Sequence, residues 1–255
     1  MSEQNNTGRP RLMTTTLTTP FIYYNKVANL NEQAQKNLDA ANEAFNTQDI
    51  AATTQAYQAA AEAAPETPEL LSNLGAILVA QGKGMEGVQS LQKAIELNDA
   101  CSAAHYNLGT LLLSNNVPQK AQEHLNKAAA IDTKSAPVLN NLGLAELHLS
   151  NYDKAREQFE AAVATAPQFS YGYHNLGSID YDQGNTQAAM DWFNKALEQD
   201  GNNFATLNDL GCALYVAGKT EEALPMFTKA IQANPDYKSA YYNIGYIAHE
   251  NNLLA

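Results

Sequence analysis

The residues of this sequence that are best suited to catalysis or metal binding are its histidines and cysteines. The histidines are His105, His124, His148, His174 and His249, and the cysteines are Cys101 and Cys212. A zinc site needs several such side chains at short, regular spacings so that they converge on one point. The sequence contains no His-x-x-x-His pair and no Cys/His cluster, and nothing in it resembles a nucleophile motif. It therefore predicts no catalytic residue and no metal site.

A glycine-rich stretch from Gly82 to Gly87, GKGMEG, has the G-x-G-x-x-G spacing of a dinucleotide-binding loop. Such a loop binds a pyrophosphate when a strand precedes it within a βαβ unit. Here a helical pattern precedes the stretch, so its glycines fall on a turn and on a second helix. We therefore expect no bound nucleotide and no other cofactor.

The elements that position these residues are set by a pattern that recurs every 34 residues without insertion or deletion. A fixed period of this length predicts stacked supersecondary units, each of which packs only on its neighbours. A Leu-Gly pair, or Ile-Gly in the last copy, marks each unit. These pairs are Leu74-Gly75, Leu108-Gly109, Leu142-Gly143, Leu176-Gly177, Leu210-Gly211 and Ile244-Gly245.

The second half of the unit adds an Ala-x-x-x-Phe pattern, which is clearest at Ala155/Phe159, Ala189/Phe193 and Ala223/Phe227. With the Leu-Gly pairs, this pattern resembles the tetratricopeptide repeat family. The resemblance implies an all-α fold, a right-handed solenoid of antiparallel helix pairs. We assign the solenoid to residues 27–255, with repeats at approximately 34–67, 68–101, 102–135, 136–169, 170–203 and 204–237 and a partial repeat at 238–255.

Residues 1–26 precede the repeats and are expected to form a disordered or docking tail. Residues 1–20 are polar and hold too little apolar surface to offset the entropy of ordering. The aromatic run from Phe21 to Tyr24 interrupts that pattern. It either packs on the outside of the first helix pair or docks into a groove, of this molecule or of another.

The charge of the chain limits its partners. A formal net charge of −12 argues against nucleic acid and against an anionic membrane surface, because both are bound through clustered Lys and Arg. No apolar run has the length of a signal peptide or of a spanning helix, so the expected location is cytoplasmic. The register places Cys101 and Cys212 too far apart for a disulfide, and we expect two thiols.

The resemblance also implies where a partner binds. In this family the first helix of each pair lines the concave surface through its second, fifth, sixth, ninth, twelfth and thirteenth residues, here called the inner-face positions. The sixth position holds an amide or an acid in every repeat from the second onward. These residues are Asn73, Asn107, Asn141, Asn175, Asp209 and Asn243. The row either grips the main chain of an extended ligand or satisfies the neighbouring repeat, and both roles are compatible.

Tyrosine and histidine occupy other inner-face positions, and tyrosine is enriched at protein interfaces. No inner-face position holds Lys or Arg, whereas Asp39, Glu69, Asp182, Asp209 and Glu250 are acidic. The ligand is therefore expected to be neutral or basic, and the basic clamp by which related co-chaperones hold acidic tails is missing. The remaining predicted groove residues are Tyr106, His148, Tyr171, His174, Tyr181, Tyr215, Tyr242, Tyr246 and His249.

The sequence thus predicts a non-enzymatic scaffold or adaptor that binds an extended or helical protein segment within a multiprotein assembly. Two alternatives remain open at this point: an assembly chaperone that holds a subunit transiently, and the regulatory module of a separate enzyme. Self-association through the N-terminal tail or the terminal helix is a further expectation, because both present apolar surface.

Overall fold

The structure is a computed structural model that describes Phe21 and residues 27–250. Apart from Phe21, the predicted N-terminal tail lies outside the described residues, and so do residues 251–255. Residues 27–250 form thirteen helices and no strand. They are α1 (Glu32–Asn46), α2 (Ile50–Ala63), α3 (Pro68–Ala80), α4 (Gly84–Leu97), α5 (Ser102–Ser114), α6 (Pro118–Ile131), α7 (Ala136–His148), α8 (Tyr152–Thr165), α9 (Ser170–Asp182), α10 (Thr186–Gln199), α11 (Phe204–Val216), α12 (Thr220–Ala233) and α13 (Lys238–Glu250).

The helix boundaries are set by residues that favour a helix N-terminus and by residues that adopt the left-handed backbone conformation after a helix. Pro68 and Pro118 are the first residues of α3 and α6, where the missing proline N–H costs no hydrogen bond. Asn203 caps α11 by accepting a hydrogen bond from the Thr206 N–H at 3.1 Å. The turn inside each complete pair contains one residue with positive φ. These residues are Gln48, Gly82, Asn116, Ser150, Gly184 and Gly218.

The described chain divides into two compact units, and the division falls within α8 between Ala155 and Arg156. In the N-terminal unit, α1 pairs with α2, α3 with α4, and α5 with α6, and α7 packs on α6. In the C-terminal unit, α9 pairs with α10 and α11 with α12, while α13 packs on α12 and α11. The predicted all-α arrangement of paired helices is confirmed.

The core of the N-terminal unit is built from small and aliphatic side chains around one tyrosine. Leu38, Tyr57 and Leu70 are fully buried together, and Leu91 and Leu125 fill the interfaces inside the second and third pairs. None of the helices in residues 27–250 is long and apolar enough to cross a membrane.

In the C-terminal unit, aromatic rings fill the interfaces inside the helix pairs. Phe193 and Phe227 are fully buried, and each lies against the glycine of the first helix in its own pair. A Cβ atom on Gly177 would lie 2.7 Å from Phe193 Cδ1, and one on Gly211 would lie 2.8 Å from Phe227 Cε1. The recurring glycine therefore allows a large side chain to pack directly on the helix backbone.

Candidate functional site

The residues predicted to form the amide row are all fully buried, so their side chains do not reach solvent. The six positions are Asn73, Asn107, Asn141, Asn175, Asp209 and Asn243. A fully buried polar side chain needs hydrogen-bond partners, because an unsatisfied donor or acceptor costs about 1–3 kcal/mol. The neighbouring repeat supplies such partners.

The amides of this row donate to the first helix of the preceding repeat at two positions one turn apart. Asn141 Nδ2 donates to Tyr106 OH at 3.1 Å and to Thr110 Oγ1 at 2.9 Å. Asn243 Nδ2 makes the equivalent bonds, to Asn208 Oδ1 at 2.9 Å and to Cys212 Sγ at 3.2 Å. These bonds join α5 to α7 and α11 to α13 through side chains. Contact of these amides with the main chain of a ligand stays a prediction.

Asp209 departs from this pattern because an acid stands where the other repeats from the second onward hold asparagine. Its Oδ1 accepts a hydrogen bond from Asn208 Nδ2 at 3.0 Å, whereas its Oδ2 lies 3.5 Å from His174 Nε2. Burial raises the pKa of Asp209 well above its usual range, and the charge of Asp182 raises it further. Burial also raises the pKa of the Cys212 thiol, and the charge of Asp209 adds to that effect.

Two residues expected to project into the groove are instead part of this buried network. His174 is fully buried, and its Nδ1 lies 2.9 Å from Thr206 Oγ1. Tyr106 is also fully buried and accepts from Asn141. The placement of both on an open groove surface was wrong, because these fifth residues of α5 and α9 contact the first helix of the next repeat. Tyr181, at the twelfth position, is 6% exposed.

The accessible aromatic residues at inner-face positions concentrate at α11 and α13. Tyr242 is 57% exposed, and Tyr215 and Tyr246 are half-buried. The rings of Tyr242 and Tyr246 stack with centroids 6.5 Å apart, and Tyr215 meets Tyr246 edge-on at 6.3 Å. We call Tyr215, Tyr242 and Tyr246 the tyrosine cluster. Tyr171, on α9, is half-buried, and its ring stacks on that of Phe169 with centroids 5.5 Å apart.

One acidic residue, Glu250, borders the tyrosine cluster. Glu250 lies two helical turns after Tyr242 on α13, and its charge contributes to the raised pKa of Tyr246, whose largest cause is desolvation. Asp182 is exposed, and desolvation raises its pKa. His249 Nδ1 lies 3.8 Å from Glu250 Oε1, and the His249 side chain is 79% exposed. His148, on α7, is also exposed.

Two histidines outside the inner face, the buried His105 and the half-buried His124, lie next to each other in the third repeat. His105 Nδ1 lies 2.9 Å from His124 Nδ1, and His105 Nε2 lies 3.1 Å from the Asp99 carbonyl oxygen. Burial lowers the pKa of both imidazoles. Residues 27–250 contain no group of three metal-ligating side chains, so this pair is not part of a larger ligand set.

The sequence interpretation missed two carboxylates that join neighbouring elements from the eleventh residue of a first helix. Asp180 accepts from Arg156 Nη2 at 2.8 Å and from Trp192 Nε1 at 3.0 Å. Glu146 accepts from Gln122 Nε2 at 2.7 Å and from Asn151 Nδ2 at 2.8 Å. An asparagine five residues after each acid was the available signal.

Family comparison places tetratricopeptide repeats along most of this chain. Two sequence descriptions of that family match, one at residues 134–201 and the other at residues 73–136 and 208–255. No curated protein matches the chain in sequence.

Solved structures resemble the chain over most of its length. YrrB, described as a protein of this repeat type with an unusual peptide-binding site, is 21% identical, has a TM-score of 0.55, and is matched over 97% of its chain and 74% of this one. PilF of Pseudomonas aeruginosa is 15% identical with a TM-score of 0.71, over 96% of its chain and 82% of this one. The Cut9–Hcn1 hetero-tetramer of APC/C gives 15% identity and a TM-score of 0.76, over 43% of its chain and 84% of this one. These likenesses agree with the predicted fold class.

Proposed function

Because the chain belongs to the tetratricopeptide repeat family, whose members generally mediate protein–protein interactions, we propose that it is a non-enzymatic scaffold or adaptor. It holds a neutral or basic segment of a partner protein, extended or helical, within a multiprotein assembly. The binding surface of the C-terminal unit is the tyrosine cluster together with Glu250, which borders it.

The observation that carries this proposal is the accessible tyrosine cluster beside Glu250, in a face that lacks basic residues. Tyr242 is 57% exposed, and the Glu250 side chain is 51% exposed. No inner-face position holds Lys or Arg, so a basic partner side chain meets no like charge. Like-charge contacts at an interface cost several kcal/mol of binding free energy, and this cost disfavours acidic partner segments.

Tyrosine suits this role because it supplies a large contact area with few rotatable bonds. The edge-on contact of Tyr215 with Tyr246 and the stacking of Tyr242 on Tyr246 restrict these rings before any partner arrives. A restricted surface loses less conformational entropy on binding. The aromatic faces also attract a lysine or arginine side chain of the partner, by about 0.5–2 kcal/mol.

The proposal is tested by replacing an aromatic and an acidic side chain of this surface with basic ones. We would immobilise the chain and a Tyr242→Lys/Glu250→Lys variant, and quantify captured proteins from the native organism by mass spectrometry. The variant is expected to lose the partner that the unchanged chain captures. The matched control is Glu221→Lys/Glu222→Lys, because both acids are exposed on the second helix α12.

Loss of capture must result from the inner-face substitutions and not from the change in net charge. The variant and the control both make the net charge less negative, so the control tests for an effect of charge alone. Far-UV circular dichroism would establish that both remain helical. Equal capture by the unchanged chain and by Tyr242→Lys/Glu250→Lys would contradict the proposed binding surface.

A further inference from the structure

The third and fifth repeats have a ring contact at equivalent positions, between the fourth residue of the first helix and a residue of the second helix. In the fifth repeat, Tyr173 and Trp192 stack with centroids 6.1 Å apart. In the third repeat, the imidazoles of His105 and His124 lie with centroids 5.2 Å apart. The second, fourth and sixth repeats hold Leu71 and Ser90, Leu139 and Gln158, and Leu207 and Met226 at these positions. Of these five repeats, only the third places two imidazoles there.

Hydrogen bonds fix the protons of the two neutral rings. The Asp99 carbonyl oxygen lies 3.1 Å from His105 Nε2 and can only accept, so Nε2 carries a hydrogen. A neutral imidazole has one N–H, and His105 Nδ1 is therefore an acceptor. His124 Nδ1, 2.9 Å away, donates to it. His105 thus joins three segments: α5, α6 and the loop before α5.

This contact admits one donor and one acceptor between the two Nδ1 atoms. One added proton can be accommodated, because it can reside on His124 Nε2 while the bond between the rings stays in place. A second added proton puts a hydrogen on both Nδ1 atoms, which face each other at 2.9 Å. Two positively charged rings also repel each other at this distance. The closed contact is therefore incompatible with full protonation of the pair.

The charged groups around the pair do not remove this constraint. Lys127 Nζ donates to Asp99 Oδ1 at 2.9 Å and so neutralises the acid closest to His105. Burial lowers the pKa of both imidazoles, and the charge of Lys127 lowers both further, whereas Asp99 acts in the opposite direction on both and Glu123 on His124. The other ionisable residues of the helices that pack on α5 or α6 are Glu69 on α3, Glu86, Lys93 and Glu96 on α4, Lys120 on α6, and Glu146 and His148 on α7.

We propose that the contact of His105 with His124 is an acid-sensitive joint, which holds α6 closed on α5 near neutral pH and opens the third helix pair when both imidazoles are protonated. In the open pair each imidazolium is solvated and accepts its proton near pH 6.5, roughly the ordinary range of histidine. One unit of a repeat protein can open locally because it contacts only its neighbours. The second pair packs through Gly75 and Leu91, which do not titrate, so it stays closed.

The joint lies where the third repeat holds the fourth. Tyr106 and Thr110 of α5 accept from Asn141 of α7, at 3.1 and 2.9 Å. Gln122 of α6 donates to Glu146 of α7 at 2.7 Å. Opening of α6 breaks the second of these connections and leaves the first in place. Acid therefore weakens the connection between two repeats without unfolding either first helix.

Hydrogen–deuterium exchange of the full chain, followed by mass spectrometry, tests the joint. Exchange of peptides from α6 would be measured at pH 8, 7, 6 and 5 and corrected for the pH dependence of intrinsic exchange. Peptides from α4, Gly84–Leu97, provide the internal reference. The variant His105→Tyr/His124→Trp introduces the ring pair of the fifth repeat. His124→Gln is a milder variant that keeps a donor toward His105 Nδ1 but cannot be protonated. His148→Gln is the matched control, because His148 is exposed on α7.

We expect the protection of α6 to fall at least about tenfold relative to that of α4 between pH 7 and pH 5, since opening takes up protons. His148→Gln should leave this fall unchanged, whereas His124→Gln and the Tyr/Trp variant should reduce or abolish it. Protection of α6 that is independent of pH, or an undiminished fall in the His124→Gln variant, would overturn the proposal. A simultaneous and equal loss of protection in α4 would also overturn it, because that result would indicate unfolding of the whole N-terminal unit.

Discussion

Replacement of Asp209 by asparagine is expected to stabilise the C-terminal unit at neutral pH. The side chain is fully buried, and no hydrogen-bond donor of residues 27–250 reaches its Oδ2 atom. His174 Nε2 is the nearest cationic candidate at 3.5 Å. An asparagine amide at the same place provides donors toward the preceding first helix, as Asn243 does in the next repeat. Removing an unsatisfied buried acceptor is worth about 1–3 kcal/mol of unfolding free energy.

The gain depends on pH because burial raises the pKa of Asp209 in the folded state. In the unfolded chain an aspartate has a pKa of about 3.9. A carboxyl whose folded-state pKa is raised contributes its full stability below the unfolded value, and that contribution is lost as pH rises through the folded value. The advantage of Asp209→Asn should therefore be small near pH 4 and grow toward pH 8.

Urea unfolding followed by the fluorescence of Trp192 measures this change in the stability of the C-terminal unit. Trp192 is the only tryptophan of the chain and lies on α10, in the C-terminal unit that contains Asp209. The reverse exchange, Asn141→Asp, is the matched control and should lower stability at pH 7 when unfolding is followed by circular dichroism. A less stable Asp209→Asn variant, with unchanged Asn141→Asp stability, would refute this reasoning and indicate an ion pair between Asp209 and His174.

Two further predictions concern packing and pH. Gly211→Ala should lower the unfolding free energy by about 1–3 kcal/mol, because the added Cβ would press on Phe227. Gly245→Ala should raise it by about 0.5–1 kcal/mol, because alanine favours a helix more than glycine does and the added Cβ meets nothing within 4 Å. The midpoints of urea unfolding measure both effects. Stability of the N-terminal unit should fall as pH drops below about 6.5, because desolvation lowers the pKa of His105 and His124 in the folded state, so the unfolded chain binds these protons first. His105→Leu should reduce that acid dependence, and an unchanged pH profile would argue against the pair as its cause.

The helix pairs could be predicted from the sequence because one period fixes them all. The turn residues Gly82, Asn116, Gly184 and Gly218 follow from the register and from their tolerance of positive φ. Ser150 takes the same conformation at φ 63° although serine does not favour it, so the repeat geometry overrides the residue preference. The start of α1 was harder to place: it begins at Glu32, in a first repeat whose sequence departs from the pattern.

The inner face was less predictable, because burial depends on contacts between repeats. Fifth and sixth residues of first helices meet at the contacts between repeats, where Asn141 donates to Tyr106 and Asn243 donates to Asn208 of the preceding repeat. A single sequence shows that an asparagine recurs, but the same recurrence suits a ligand contact and a structural bond. His174 illustrates the limit, since its burial arises from Thr206 in the following repeat.

Photocrosslinking from the tyrosine cluster tests the central proposal most directly. A photoreactive phenylalanine analogue would replace Tyr242 in the full chain, and in a second protein it would replace Tyr152, which is 44% exposed on α8. Crosslinked peptides from the native organism would be identified by mass spectrometry. We predict a partner crosslinked from position 242 and not from position 152, through a segment that is neutral or rich in Lys and Arg. Crosslinks equally abundant from both positions, or a predominantly acidic segment at position 242, would contradict the proposed function.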